Sequence, residues 1–168
     1  LVRMAARIHP AARSLLESIN ARLSRDMTGG MFVTLAWAEI EADRGRVRIA
    51  RAGHNPPLIL RSSGRVEQFQ PGGIALGIDG GEVFQKSLEI SDVQLERGDA
   101  LILYTDGIVE AMNHDGVEYS LEAFARVLQN MSSATPDELV EGVLADLAVH
   151  VDGAEATDDI TLVIARRE

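Results

Sequence analysis

The 168 residues suffice for one compact domain, and an apolar content of 46% can fill one core, which excludes a disordered chain. With 26 acidic against 16 basic residues the net charge is -10, which disfavours nucleic acid as a partner, because phosphate-backbone binding depends on basic neutralisation. The absence of cysteine rules out disulfides and thiolate metal sites and suits a reducing compartment; no apolar run approaches the roughly 20 residues of a membrane span and no signal-peptide layout is present, so a soluble cytoplasmic domain is expected.

Leu1, Met4, Ala5 and Ile8 follow i, i+3, i+4, i+7 spacing with no capping residue ahead of them, so the chain is expected to start inside a helix. Pro10 restarts the pattern, and Leu15, Leu16, Ile19 and Leu23 form a second apolar stripe that ends near Asp26 and the Gly29-Gly30 pair. From Met31 the period changes. "MFVTLAWAEI" is apolar on both faces, as a strand covered on both sides would be, whereas "RVRIARAG" sets Arg46, Arg48 and Arg51 outward and Val47, Ile49 and Ala52 inward. Asp43, Arg44 and Gly45 read as the hairpin turn between them, and "PLIL" and "RVEQF" read as a second hairpin through Ser62, Ser63 and Gly64. A glycine-rich loop, "PGGIALGIDGG", precedes "SLEISDVQL" with alternating Leu88, Ile90, Val93 and Leu95; a Gly98-Asp99 turn leads into the strand "ALILY".

Helices return downstream. Ser120 is placed to cap a helix carrying Leu121, Phe124, Val127 and Leu128, and Thr135-Pro136-Asp137-Glu138 forms a capping box with proline at the first helical position. Leu139, Val140, Val143, Leu144 and Leu147 mark the buried face of the next helix, and after the loop "DGAEATDD" the chain ends in the strand "ITLVIA". No repeat, linker or low-complexity segment interrupts the pattern. The expected fold class is α+β over residues 1–168 as a single domain, a mostly antiparallel sheet system with helices outside it.

Two acidic positions stand at strand ends. Asp106 follows "ALILY" and Asp158-Asp159 precede "ITLVIA", so pairing these strands would gather carboxylates at one sheet end. Such a cluster repels itself and either shifts a pKa or recruits a hard cation such as Mg²⁺ or Mn²⁺. The spacing alone also admits a plainer reading, in which Asp106-Gly107 is a turn and Asp158-Asp159 are solvated loop residues. The glycine-rich loop matches no dinucleotide or P-loop pattern, His54 in "AGHNPP" reads as structural at a strand break, the other histidines lack metal-ligand spacing, and no G-x-S-x-G elbow is present.

"MFVTLAWAEI", "ARAGHNPPLIL", "GIALGI", "LERGDALILYTDGIVEAMN" and "DDITLVIARRE" stand in an order and at intervals that resemble bacterial PPM-type serine/threonine phosphatases, the protein-phosphatase-2C-like enzymes of the SpoIIE/RsbU branch. The resemblance implies an α-β-β-α sandwich of two antiparallel sheets flanked by helices, with two Mn²⁺ or Mg²⁺ ions at one end. It places Asp106 on the family's TDG block and Asp158 on the first aspartate of its DD block, both as ligands of one metal, with Asp159 adjacent and less clearly matched. It implies hydrolysis of phosphoserine or phosphothreonine on a protein, in this branch a phosphorylated anti-sigma-factor antagonist, by metal-held water without a protein nucleophile.

The family's N-terminal blocks, a glycine-aspartate segment and a GDVSGHG-like segment bearing the metal-bridging aspartate, have no counterpart among these residues. The expectation is therefore an N-terminally incomplete domain, weakly active or inactive by itself, with a homodimer formed through the two leading helices. A noncatalytic pseudophosphatase or interaction module that keeps the fold is the alternative.

Overall fold

The second apolar stripe forms α1, Ala12–Asp26, in the computed structural model, which describes residues 11–27, 30–155 and 158–168. The first expected helix, Leu1 to Ile8, lies outside the described residues. The chain divides into two units, Leu1–Pro56 with Gln70–Gln94 and Pro57–Phe69 with Leu95–Glu168, each with its own sheet and core.

In the first unit α1 buries Leu15, Leu16 and Ile19 against Ala50, Ala52, Leu76, Phe84 and Leu88. The stripe of α1 expected to contribute to a homodimer is therefore covered within the helix's own unit, as an amphipathic helix packs its apolar face on a core. Asn20 is buried on the same helix, where its Nδ2 donates to Asp79 O at 2.7 Å and its Oδ1 accepts from Gly77 N–H at 2.9 Å, so α1 pins the glycine-rich loop.

Strand β1, Leu35–Glu41, turns into β2, Arg46–Ala52, with Glu41 opposite Arg46 and Glu39 opposite Arg48, and β2 pairs on its other side with β5, Ile90–Gln94. The central position of β2 buries Val47, Ile49, Ala50 and Ala52. β1 instead starts four residues later than "MFVTLAWAEI" suggests and lies at the edge of the described sheet, half-buried, with Met31, Phe32 and Val33 exposed. Apolar content on both faces cannot distinguish a covered strand from an edge strand, since strand order is a tertiary property. Helix α2, Glu82–Ser87, was not expected; Asp79 Oδ1 accepts the N–H groups of Gly81 and Phe84, and Phe84 is buried. Those amides, Phe84's foremost, hold the Asp79 carboxyl below the usual aspartate range.

The second unit is a four-stranded antiparallel sheet in the order β4-β3-β6-β7, formed by Val66–Gln68, Leu58–Leu60, Ala100–Tyr104 and Leu162–Arg166. The short helix α3, Asp106–Val109, follows β6, and α4, Ser120–Asn130, and α5, Pro136–Val151, complete the unit. Phe124, Leu128, Leu139, Val143 and Leu147 pack with Leu58, Leu60, Ile102 and Tyr104, and the rings of Tyr104 and Phe124 meet edge to face at 5.1 Å. The capping box forms as expected, Thr135 Oγ1 accepting from Glu138 N–H and the Glu138 carboxylate accepting from Thr135 N–H. Ser120 adopts φ 74° and its Oγ accepts from Ala123 N–H. Leu144, expected on the buried face of α5, is exposed.

Asp99, in the turn before β6, is 2% exposed and accepts from Ser62 N–H, Glu96 N–H and Arg61 Nη1, while Arg61 Nη2 donates to Glu67. Burial alone would push its carboxyl up; the Glu96 and Ser62 amides and the Arg61 guanidinium outweigh burial and hold it below the usual aspartate range. The observed fold class is α+β, two antiparallel sheets with flanking helices.

Candidate functional site

The β6–β7 ladder ends at the pair Tyr104 and Leu162, and the two chains stay joined beyond it. Thr105 N–H donates to Thr161 O at 3.1 Å, Thr105 Oγ1 donates to Asp159 O at 3.0 Å, and Thr161 N–H donates to Thr105 Oγ1 at 2.9 Å. One hydroxyl thus serves as donor and acceptor and clasps the segment before Asp106 to the segment after Asp158. The sequence reading missed Thr105. The available signal was a threonine beside each acidic motif, in "TDG" and "DDIT", at ends of strands that pair.

Gly107 explains the glycine of the "DG" pair. A Cβ there would lie 2.6 Å from Asp159 O, closer than the carbonyl allows, and in van der Waals contact with Asp158 O at 3.4 Å. The glycine is needed for close approach of two backbones, and it lies in the helical turn α3, which begins at Asp106, where the sequence suggested a tight turn. Ile108 is fully buried behind it and anchors that turn.

The carboxylates themselves are exposed. Asp106 Oδ1 accepts from Gly107 N–H at 3.1 Å and Asp158 Oδ1 accepts from Asp159 N–H at 2.7 Å, leaving each side chain an oxygen without a hydrogen bond of this kind. Among the described residues no arginine or lysine pairs with Asp106, Asp158 or Asp159. Three unpaired hard-oxygen donors on two segments in backbone contact fit a divalent cation in donor type. They fit only part of a ligand set, because among the described residues no three His, Cys, Asp or Glu side chains are grouped to hold an ion.

The remaining candidates do other work. His54 Nδ1 lies 3.0 Å from Thr34 Oγ1 and its carbonyl accepts from Arg51 Nη1, all within the first unit. His114 and His150 donate to the carbonyls of Asp152 and Val117. Among the described residues no helix is long and apolar enough to cross a membrane.

The family model for Stage II sporulation protein E (SpoIIE) matches residues 1–168. The chain belongs to the SpoIIE family. It is 25% identical over 162 residues to the phosphoserine phosphatase RsbU of Bacillus subtilis, covering 96% of this chain and 46% of RsbU. The SiaA-PP2C domain of Pseudomonas aeruginosa superposes with a TM-score of 0.83 at 18% identity, covering 99% of this chain and 66% of that one. A manganese-presoaked phosphatase domain of SpoIIE from Bacillus subtilis superposes with a TM-score of 0.66 at 22% identity, over 98% of this chain and 70% of that one. These structures bear out the expected phosphatase-2C-like fold. The chain spans less than half the length of the curated relatives it matches.

Proposed function

We propose that these residues are the C-terminal part of a metal-dependent protein serine/threonine phosphatase domain that acts on a phosphorylated protein in bacterial signalling. A phosphorylated anti-sigma-factor antagonist is the substrate that the family implies. The observation that carries this reading is the contact of Gly107 with the Asp158-Asp159 backbone, locked by Thr105, which brings together the two segments on which the family's metal aspartates fall. Asp106 and Asp158 would hold a Mn²⁺ or Mg²⁺ ion, with Asp159 as an adjacent donor. Such ions supply an activated water and neutralise charge on the phosphoryl oxygens. The contribution of this chain is orientation: buried β6 sets the direction of Asp106, Ile108 anchors the turn that follows, and the Thr105 clasp limits the distance between the two acidic segments.

Turnover of a phosphoserine peptide in Mn²⁺ tests this. In a complete domain Asp106→Asn and Asp158→Asn should each lower it by about a hundredfold or more while the fold stays intact by circular dichroism, and Asp159→Asn should be milder. A larger loss at Asp159 than at Asp158 reverses the assignment of the pair. The 168 residues alone should turn over slowly, since no block with the bridging aspartate occurs among them.

A second reading, a noncatalytic interaction module, is favoured by one observation, the lack of a three-donor metal group among the described residues. Capture of a phosphoprotein without turnover, whatever the metal supplied, would decide for it.

A further inference from the structure

We propose that an apolar cavity beside Asp158 receives an aliphatic side chain next to the phosphorylated residue of the substrate, in a partner whose surface around that residue is basic. The proposal rests on the phosphatase reading of the site. The cavity, about 220 Å³, lies within the second unit between Ala111 and Met112 after α3, Leu144, Ala148 and Val151 on α5, and Ile160 before β7. Gly107 and Asp158 also line it, so it is continuous with the candidate metal edge, and apart from Asp158 and Glu155 every lining residue is apolar.

Size decides the kind of occupant. Sites for whole small molecules run from about 300 to 1,000 Å³, so this cavity suits one side chain rather than a cofactor. Its walls hold apolar surface in water: Met112 is 40% exposed, Leu144 42% and Ile160 43%. Leu144 sits at a position that the helical period assigns to the core, yet among the described residues of the unit none covers it fully. Burying such surface under a ligand side chain is favourable.

The walls are also preformed. The loop from Met112 to Tyr119 is closed by the Met112–Glu118 bridge and latched to α5 or its C-terminal end by three bonds, Tyr119 OH to Asp146 Oδ2 at 2.6 Å, His150 Nε2 to Val117 O at 2.9 Å and His114 Nε2 to Asp152 O at 3.0 Å. A cavity whose walls are fixed before binding loses less entropy when filled.

Charge identifies the partner. The second unit carries 17 Asp and Glu against 6 Arg and no Lys, whereas the first carries 9 acidic and 10 basic residues. Beyond the phosphoryl charge that metal ions would neutralise, so acidic a unit favours a substrate surface with basic residues around the phosphorylated residue. Glu155 and Asp158 bring that negative charge to the cavity wall itself.

Fluorescence anisotropy with labelled phosphoserine peptides tests the pocket without requiring turnover. Four peptides combine leucine or alanine beside the phosphoserine with arginine or glutamate flanks, in Mn²⁺, against the parent, Ala148→Phe and Leu144→Asn. The arginine-flanked leucine peptide should bind the parent about tenfold more tightly than its alanine counterpart, and both should bind more tightly than their glutamate-flanked forms. Ala148→Phe, which fills the cavity from an exposed helix position, should abolish the leucine preference, and the methyl resonances of Leu144, Val151 and Ile160 should shift only with the leucine peptide. Equal binding of leucine and alanine peptides by the parent overturns the proposal even if both variants misfold. So does a leucine preference that survives Ala148→Phe, or a sedimentation change caused by that variant without peptide, which would assign the cavity to a second copy of the chain. Hydrolysis of p-nitrophenyl phosphate by a complete domain, with the N-terminal metal blocks joined to these residues, tests the phosphatase reading separately: hydrolysis without a leucine preference sinks the pocket alone, and a leucine preference without hydrolysis sinks that reading alone.

Discussion

The two units use carboxylates in opposite ways. In the first, Glu39 and Glu41 stand across the hairpin from Arg48 and Arg46, and Arg48 also reaches Asp92 on β5 at 3.2 Å, so acid is matched with base along a half-buried sheet face. In the second, one carboxylate, Asp99, is buried and satisfied by three donors, while Asp106, Asp158 and Asp159 have no cationic partner among the described residues. Paired surface charge is nearly neutral to stability, a buried satisfied charge is costly to disturb, and unpaired charge held in place is available to a ligand. Residue type therefore says little about role until burial and partners are known.

The sharpest way to break this contrast is at Asp99. Asp99→Ala removes the buried carboxylate to which Arg61 Nη1 and two amides donate and should cost about 3 to 5 kcal/mol by urea denaturation. A loss below about 1 kcal/mol, of the size expected for a surface pair, would show that Asp99 is not a buried hub. The same residue sets an acid limit. Its carboxyl lies lower in the folded than in the unfolded chain, so its contribution is fully present above the unfolded value of about 3.9 and is lost as pH falls through the folded value. Asp99→Asn should flatten the stability profile below about pH 4, and an unchanged profile would count against this linkage.

Gly107→Ala comes next, because its methyl group meets a backbone carbonyl that cannot rotate away. It should cost about 2 kcal/mol and move the resonances of Asp158 and Asp159. By contrast a Cβ at Gly142 would meet only the flexible thioether of Met131, so Gly142→Ala should be close to neutral under the same denaturation.

Asp158→Asn has the opposite sign. Removing one of the unpaired charges should stabilise the metal-free chain by about 0.5 to 1 kcal/mol and abolish the gain in melting temperature that Mn²⁺ gives the parent. Destabilisation of the metal-free variant with a retained Mn²⁺ shift would separate Asp158 from Asp106. The smallest effect belongs to the first unit: Arg48→Ala, which removes solvent-accessible pairs with Glu39 and Asp92, should change stability by no more than about 1 kcal/mol, less in high salt.

Periodicity and turn chemistry are local, and the sequence by itself determined what depends on them. The stripe of α1, the Asp43-Arg44-Gly45 and Ser62-Ser63-Gly64 turns, the capping box at Thr135 and the placing of aspartates at the ends of "ALILY" and "ITLVIA" could all be read from neighbouring residues. Even the ordered motifs that resemble phosphatases lie along the chain. The partner across a sheet or a core cannot be read in this way. That β1 lies at the edge of the described sheet, that α1 is covered by Phe84 and Leu88, that Asp99 is buried with Arg61, and that Leu144 lines a cavity depend on residues distant in sequence. The Thr105 clasp shows why: its hydroxyl joins residues 54 and 56 positions away, and only the antiparallel pairing of β6 with β7 brings the three groups to hydrogen-bond distance.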